Sequence, residues 1–253
     1  MKKALCLALI ALMIMSLPSC AMIDWQMLLP DAQEETPEED KEYYLLRTVT
    51  THLGTGAVIE NKYFYDDQGR TAGYYIYQDG IFLSTFEYGY DEKGYLIYEK
   101  HSAPDVDYVS ETFSEVDELG RPIAQRYVVR YEGEENVRSW TIEYLDENGS
   151  YVEHTTINGV ERTQSGDYDE HGNLLRTVSD SGEVTEYINE YDEDGRLMRV
   201  TTTVYGSSTV AEYEYSSEGD YTIERLYDAD GELVRTREYF YSEEPASKPA
   251  EQY

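Results

Sequence analysis

Cysteine is scarce in this chain. Its two cysteines, Cys6 and Cys20, both lie among the first twenty residues. A disulfide framework is therefore excluded for the remaining residues, which must be held together by strand pairing and side-chain packing.

Positive charge is also in short supply. The chain has 20 Lys and Arg against 52 Asp and Glu, which gives a net charge of −32. Such a chain repels DNA, RNA and other polyanions, so we expect no nucleic-acid partner. The acidic surface also discourages pairing between the edges of neighbouring sheets.

The sequence has few groups arranged for catalysis or metal binding. The four histidines are scattered without ligand spacing, and no Gly-x-Ser-x-Gly or His-Glu-x-x-His motif occurs. Acidic pairs that resemble the opening of a calcium loop lack the third acidic position and the distal glutamate. We therefore predict a protein that is not an enzyme, with no catalytic residue, metal or cofactor.

Long apolar runs are limited to the N-terminus. Lys2 and Lys3 precede an apolar run, Ala4 to Leu17, that is too short for a comfortable membrane span. Leu17-Pro18-Ser19-Cys20 resembles the bacterial lipobox, which implies a lipoprotein signal peptide over 1–19 and lipidation of Cys20. An ordinary secreted protein and an uncleaved anchor are the alternatives. The lipoprotein interpretation predicts a lipid-anchored protein in the bacterial cell envelope, outside the cytoplasm.

Composition divides the remaining chain into three parts. Residues 20–42 are rich in acids and prolines and predict a flexible tether behind the lipidated cysteine. Residues 43–241 form the predicted repeat domain. Residues 242–253 predict a disordered tail.

One phrase, Tyr-Asp-x-x-Gly, recurs along the predicted repeat domain. Its glycines are spaced mostly 23 to 29 residues apart, a period typical of repeat architectures. The Asp and Gly pairs of the phrase are Asp66 and Gly69, Asp91 and Gly94, Asp117 and Gly120, Asp146 and Gly149, Asp169 and Gly172, Asp192 and Gly195, and Asp228 and Gly231. In two copies the tyrosine is replaced, by Val116 and by Leu145.

The phrase predicts a type I turn closed by a left-handed glycine. Asp at the first turn position accepts hydrogen bonds from turn amides, and Gly adopts the positive φ that completes a bulged hairpin. The bulge places each Tyr opposite the second residue after Gly. The predicted pairs are Tyr90 with Leu96, Tyr168 with Leu174, Tyr191 with Leu197, and Tyr227 with Leu233.

Second turn signals lie between these turns, among them Asp79-Gly80, Gly133, Asn158-Gly159, Ser181-Gly182 and Gly206. The Tyr-Asp turns and the second turns alternate along the chain, which predicts roughly 14–16 strands in a meander. We predict an all-β fold: an antiparallel meander of repeated hairpins that forms an extended or curved (spiral) single sheet. Whether that sheet closes is left open.

The phrases at 90–96, 191–197 and 227–233 resemble the YD repeat of RHS-type bacterial surface proteins. The resemblance implies a strip or spiral of antiparallel hairpins. In large members such repeats wind into a hollow shell around a toxin domain or form an adhesion surface. For the roughly seven units here, it implies a short curved sheet.

The chain contains 27 tyrosines and only five phenylalanines. A tyrosine ring packs while its hydroxyl stays hydrated, so tyrosine suits a thin sheet, and a patch of tyrosines can also stack on sugar rings or peptides. We predict a surface that binds a polysaccharide or an envelope protein. The alternative is a structural or spacer protein that self-associates or holds other components apart. The candidate binding residues are Tyr63, Tyr65, Tyr75, Tyr77, Tyr88 and Tyr90.

Overall fold

The fold was analysed in a computed structural model, which describes residues 44–145, 150–157, 160–217 and 219–247. These residues contain sixteen strands and a short 3-10 turn at Pro104–Val106. No helix in this part of the chain is long and apolar enough to cross a membrane. The strands are β1 Tyr44–His52, β2 Val58–Tyr65, β3 Thr71–Gln78, β4 Ile81–Tyr90, β5 Leu96–Ala103, β6 Tyr108–Val116, β7 Pro122–Tyr131, β8 Glu134–Tyr144, β9 Tyr151–Ile157, β10 Val160–Tyr168, β11 Leu174–Ser179, β12 Val184–Tyr191, β13 Leu197–Val204, β14 Ser207–Tyr215, β15 Tyr221–Tyr227 and β16 Leu233–Ser242.

Each strand pairs antiparallel with the next, and β1 pairs with β16 to close a barrel. The predicted all-β meander of hairpins is confirmed, but its predicted form, an extended or curved (spiral) sheet, is wrong: the sheet closes, which the sequence had left open. The closing seam runs from Tyr44 opposite Ser242 to His52 opposite Arg235. Closure pairs the backbone groups that two free edge strands would otherwise leave exposed.

The Tyr-Asp turns have the geometry that the sequence predicts. In the turn after β2, the amide of Gly69 donates to the carbonyl of Asp66, and Gly69 has φ +78. One Asp66 carboxylate oxygen accepts from the amides of Gln68 and Arg70, and the other accepts from the Arg70 guanidinium at 2.8 Å. All four predicted Tyr–Leu pairs are confirmed, each beside a register shift that marks the bulge.

Neighbouring turns are also bound to one another. The guanidinium of Arg70 lies 4.5 Å from the ring centre of Tyr90, and Arg196 lies 5.2 Å from that of Tyr215. The Tyr90 hydroxyl donates to the carbonyl of Thr71 in the preceding turn region. The arginine of one turn therefore stacks on the tyrosine of the next, a favourable cation–π contact.

The turns divide between two rims of the barrel. We call the YD rim the end where the even-numbered strands finish, and the far rim the end where the odd-numbered strands finish. Most Tyr-Asp turns lie on the YD rim, but the one at 228–231 joins β15 to β16 on the far rim. It comes only twelve residues after Gly219, one strand length instead of two.

The chain enters and leaves the barrel at the YD rim, where Tyr44 pairs with Ser242. The predicted signal peptide, Cys20 and the tether lie outside the described residues. The predicted disordered tail begins at residue 242, but β16 includes Ser242, and the carbonyl of Ala246 accepts a hydrogen bond from the Tyr65 amide at 2.9 Å.

Replacing Asp66 with Ala should destabilise the hairpin of β2 and β3. The change removes the acceptor of two backbone amides and the ion pair with Arg70. We expect a loss of about 1–2 kcal/mol in the free energy of unfolding, which thermal denaturation would measure. The matched control is Asp67→Ala, because Asp67 lies in the same turn and is exposed. Equal midpoints for both variants would contradict this account of the turn.

Side chains alternate between an inner and an outer face of the barrel wall. In β12, the inner residues Tyr187, Asn189 and Tyr191 are partly buried, whereas the outer residues Glu186, Ile188 and Glu190 are exposed. The outer face carries ion pairs between neighbouring strands, including Arg47–Glu60, Lys100–Glu87, Arg130–Glu111, Arg199–Glu190 and Arg225–Glu214.

Candidate functional site

An unbroken row of aromatic rings crosses the inner face from β2 to β6. The ring centroids of Tyr63 and Tyr74 are 5.2 Å apart, Tyr74 stacks on Phe86 at 4.8 Å, and Phe86 stacks on His101 at 4.1 Å. His101 meets the edge of Tyr108 at 5.3 Å. We call these five residues the aromatic belt. The first four are partly buried on the inner face, whereas Tyr108 is buried.

Strand register explains why the belt forms. Tyr63 is directly opposite Tyr74, Tyr74 is opposite Phe86, and Phe86 is opposite His101. Directly opposed side chains on one face lie about 5 Å apart, so one aromatic residue per strand at the same level produces contacting rings. The bulged turns fix that register and therefore align the belt.

Two ionisable groups of the inner face on β5 are shifted toward their neutral forms by burial. Burial raises the pKa of Glu99 to about 7 and lowers the pKa of His101 to about 4. The Nε2 atom of His101 has no hydrogen-bond partner among the described residues. Near neutral pH this wall therefore carries an uncharged imidazole and a carboxyl that is partly protonated.

A charged cluster occupies the inner face at the other side of the seam. Glu224 on β15 is only 7% exposed, and its carboxylate accepts from Arg235 at 2.5 Å. Its other oxygen lies 3.5 Å from Arg237 and 3.3 Å from the Tyr239 hydroxyl. Arg237 also donates to Thr50 on β1, so the cluster ties the last strands to the first.

The belt and the charged cluster lie on one concave wall. Burial raises the pKa of Tyr74 far above its usual range, and the charge of Glu99 on β5 acts in the same direction. The charge of Arg237, three strands away on β16, lowers the pKa of the same hydroxyl. Charges from both sides reach Tyr74 because the wall from β16 to β5 curves around the lumen.

The structure separates the tyrosines that the sequence groups as one binding surface. Tyr63, Tyr65, Tyr88 and Tyr90 lie on the inner face, whereas Tyr75 and Tyr77 lie on the outer face, where Lys62 stacks over Tyr77 at 4.6 Å. Tyr65 and Tyr90 lie near the YD rim, where each donates to a backbone carbonyl of the preceding unit. Of the six tyrosines, only Tyr63, which belongs to the belt, and Tyr88, which lies beside it, are part of the inner wall away from the rim.

The predicted turn residues lie at the two rims. Gly69, Gly94, Gly120, Gly172, Gly195 and Gly231 all have positive φ, and the amide of each donates to the carbonyl of its Asp. Asp146 and Gly149 lie outside the described residues, as do Cys20 and the second turn at Asn158-Gly159. These turns position the strands and do not line the concave wall.

Several residues of the wall were not among the sequence candidates: Tyr74, Phe86, Glu99, His101, Glu224, Arg237 and Tyr239. Alternation along each strand separates Tyr74 from Tyr75 and could have indicated the inner row. No local signal joins Arg237 to Thr50, because their contact depends on closure.

The wall can bind an uncharged ligand that carries both ring surface and hydroxyls. Its rings offer stacking surface, while tyrosine hydroxyls and the Glu99 carboxyl donate or accept hydrogen bonds. Tyr63, Tyr74 and Tyr88 are each only partly buried, so the rings retain access to the lumen. Within the described residues, no three His, Cys, Asp or Glu side chains are grouped as a metal site.

Two solved structures to which this chain is similar overlap with most of it. A porin-like protein from Bacteroides uniformis ATCC 8492 has 11% identity and a TM-score of 0.39, over 78% of this chain and 98% of its own. The structure of TcdB2-TccC3-TEV has 12% identity and a TM-score of 0.23, over 74% of this chain and 13% of its own.

Comparison with curated proteins finds no match. A family model, RHS Repeat, matches residues 168–210, which run from the end of β10 into β14. This segment contains the Tyr-Asp turns at Asp169 and Asp192, and the same turn geometry recurs along the rest of the barrel. The chain is therefore a β-hairpin repeat protein of the RHS, or YD, type.

Proposed function

We propose that this protein is a non-catalytic, lipid-anchored protein of the bacterial cell envelope whose repeat barrel binds an uncharged polysaccharide. The observation that carries the proposal is the aromatic belt, in which rings from five consecutive strands contact one another along the inner face. Stacked rings beside hydroxyls match the alternating apolar faces and hydroxyl edges of sugar rings.

The charge distribution favours a neutral ligand. A polyanion would be repelled by a chain with a net charge of −32. On the concave wall, Arg235 and Arg237 are both paired with Glu224, which neutralises one of their two positive charges. An uncharged glycan avoids this repulsion and can use the partly protonated Glu99 as a hydrogen-bond donor.

The outer face suits a barrel surrounded by water. Its ion pairs are substantially exposed, as in Arg47–Glu60 with side chains 46% and 23% exposed. A charged side chain on a lipid-facing strand costs about 2–4 kcal/mol at the bilayer centre. We therefore propose that the barrel lies outside the bilayer and is attached through the predicted lipid on Cys20.

The closed barrel argues against one form of the spacer alternative, which is self-association through the edges of the sheet. Self-association of a sheet through its edges requires unpaired edge strands. Here β1 and β16 pair with each other over eight positions, so neither edge is free. A spacer without self-association requires no aromatic belt, and we therefore favour binding.

Tyr63→Leu should weaken glycan binding, because it removes one ring of the belt but keeps an apolar side chain. We expect a roughly 3- to 10-fold loss of affinity, measured by calorimetry with hexasaccharides found on a glycan array. The matched control is Tyr77→Leu, which removes a ring from the outer face and should leave affinity unchanged. Equal affinities for both variants, or a wild-type protein that binds no neutral glycan, would overturn the proposal.

A further inference from the structure

Tyr205 occupies an unusual position on the far rim. It is the first residue of the two-residue turn that joins β13 to β14, with φ 50, and it is followed by Gly206 with φ 77. The corresponding position is Asp79 after β3 and Glu132 after β7. Asn, Asp and Gly are favoured there, and a bulky residue at positive φ is strained. A tyrosine at this position therefore does not stabilise the turn.

Its ring is also almost fully in solvent. Tyr205 is 81% exposed, the highest value among the large apolar side chains that are exposed in the described part of the chain. Interaction of its hydroxyl with the Glu183 carboxylate raises the pKa of Tyr205. Glu183 lies in the β11–β12 turn, so this interaction links two neighbouring turns of the far rim.

A shallow groove on the outer face lies beside this ring. It is lined by Arg176, Gly182, Glu183, Val184, Glu186, Thr203, Tyr205 and Gly206. Arg176, Glu186 and Thr203 form one row across β11, β12 and β13, since Arg176 is opposite Glu186 and Glu186 is opposite Thr203. The groove therefore has a polar floor and one aromatic wall.

The floor has hydrogen-bonding capacity available for a ligand. Most outer arginines, such as Arg199 and Arg225, are ion-paired, but Arg176 makes no ion pair within the described residues. Its guanidinium offers up to five donors, and the carboxylates of Glu183 and Glu186 offer acceptors. Two carboxylates against one guanidinium repel an anionic ligand.

We propose that this groove is a second glycan subsite, in which Tyr205 stacks on one neutral pyranose unit while Arg176, Glu186 and Thr203 bind its hydroxyls. The inference rests on the proposed function for its ligand class, but it concerns a site on the outer face, separate from the belt. The site lies at the far rim of the barrel, beside the β11–β12 and β13–β14 turns.

Tyr205→Asn tests the subsite in the full chain, with cellohexaose and chitohexaose as probes. Asparagine suits the turn, so we expect a higher melting temperature together with a roughly 5-fold or greater loss of affinity by calorimetry. Glu132→Asn makes the same backbone improvement at the β7–β8 turn and should raise the melting temperature without changing affinity. Tyr205→Phe keeps the ring and should retain most of the affinity.

The remaining outcomes distinguish failure of the groove subsite from failure of the belt proposal. Unchanged affinity in Tyr205→Asn, with loss in Tyr63→Leu, would overturn the subsite and leave the belt proposal standing. Loss in Tyr205→Asn with unchanged Tyr63→Leu would support the subsite and overturn the belt as the binding surface. A wild-type protein that binds neither hexasaccharide would overturn the subsite, and the glycan array then decides the proposed function by itself.

Discussion

Gly73→Ala should destabilise the barrel by about 3 kcal/mol or more, because it combines backbone strain with a collision. Gly73 has φ +154, a conformation that side-chain-bearing residues rarely adopt. An added Cβ would lie 2.1 Å from the carbonyl oxygen of Phe86 and 2.7 Å from Cζ of Phe64. The nearer atom is backbone, so relief requires β3 and β4 to separate. The melting temperature should fall by roughly 6–12 °C.

The matched control for this experiment is Gly195→Ala. Gly195 has φ +80, but its added Cβ would meet only His171, at an ordinary contact distance of 3.6 Å. We expect a loss of about 1 kcal/mol from backbone strain alone. Hydrogen exchange should show the Gly73→Ala damage concentrated in β2 to β4, because neighbouring hairpins support one another locally. Equal destabilisation by the two variants would contradict the close approach at Gly73.

Glu99→Gln should change how stability depends on pH. Burial raises the pKa of Glu99 to about 7 from its ordinary value of 4.5, so folding favours its protonated form. Below pH 4.5 both states are protonated and burial carries no ionisation cost. Between pH 4.5 and 7 the unfolded state ionises first, so the folded state loses stability. Above pH 7 the loss is complete, at about 3 kcal/mol.

The measurement is denaturant unfolding of the wild type and Glu99→Gln at several pH values. The wild type should lose stability relative to the variant as pH rises from 4.5 to 7, and the difference should be constant on either side. The matched control variant is Glu115→Gln, at an exposed position on β6. A constant difference between wild type and Glu99→Gln across the whole range would show that Glu99 is not desolvated.

Local chemistry made the hairpins predictable. Asp and Gly at fixed turn positions set the bulge, and the bulge sets which residues face each other, as at Tyr191 and Leu197. These contacts involve residues less than ten positions apart, so the sequence contains all the information that they need. Tyr75 and Tyr77 were grouped with Tyr63 because the alternation of side chains between the two faces of a strand was not applied to the tyrosines.

Closure was not predictable from such local signals. Whether β16 meets β1 depends on the twist and stagger accumulated over sixteen strands, and no residue pair near in sequence reports that sum. The contacts of the seam, such as Arg237 with Thr50, join residues 187 positions apart. The concave wall, and with it the shifted pKa of Tyr74, follows from that closure.

The sequence by itself determined the hairpin, its register and the strand count, because a capped Asp-x-x-Gly turn fixes its own neighbourhood. Only the tertiary structure decided that the sheet closes and which aromatic rings share the lumen. Pairing of the first and last strands encloses one face of the sheet. The side chains on that face acquire their burial and charge environment only after closure.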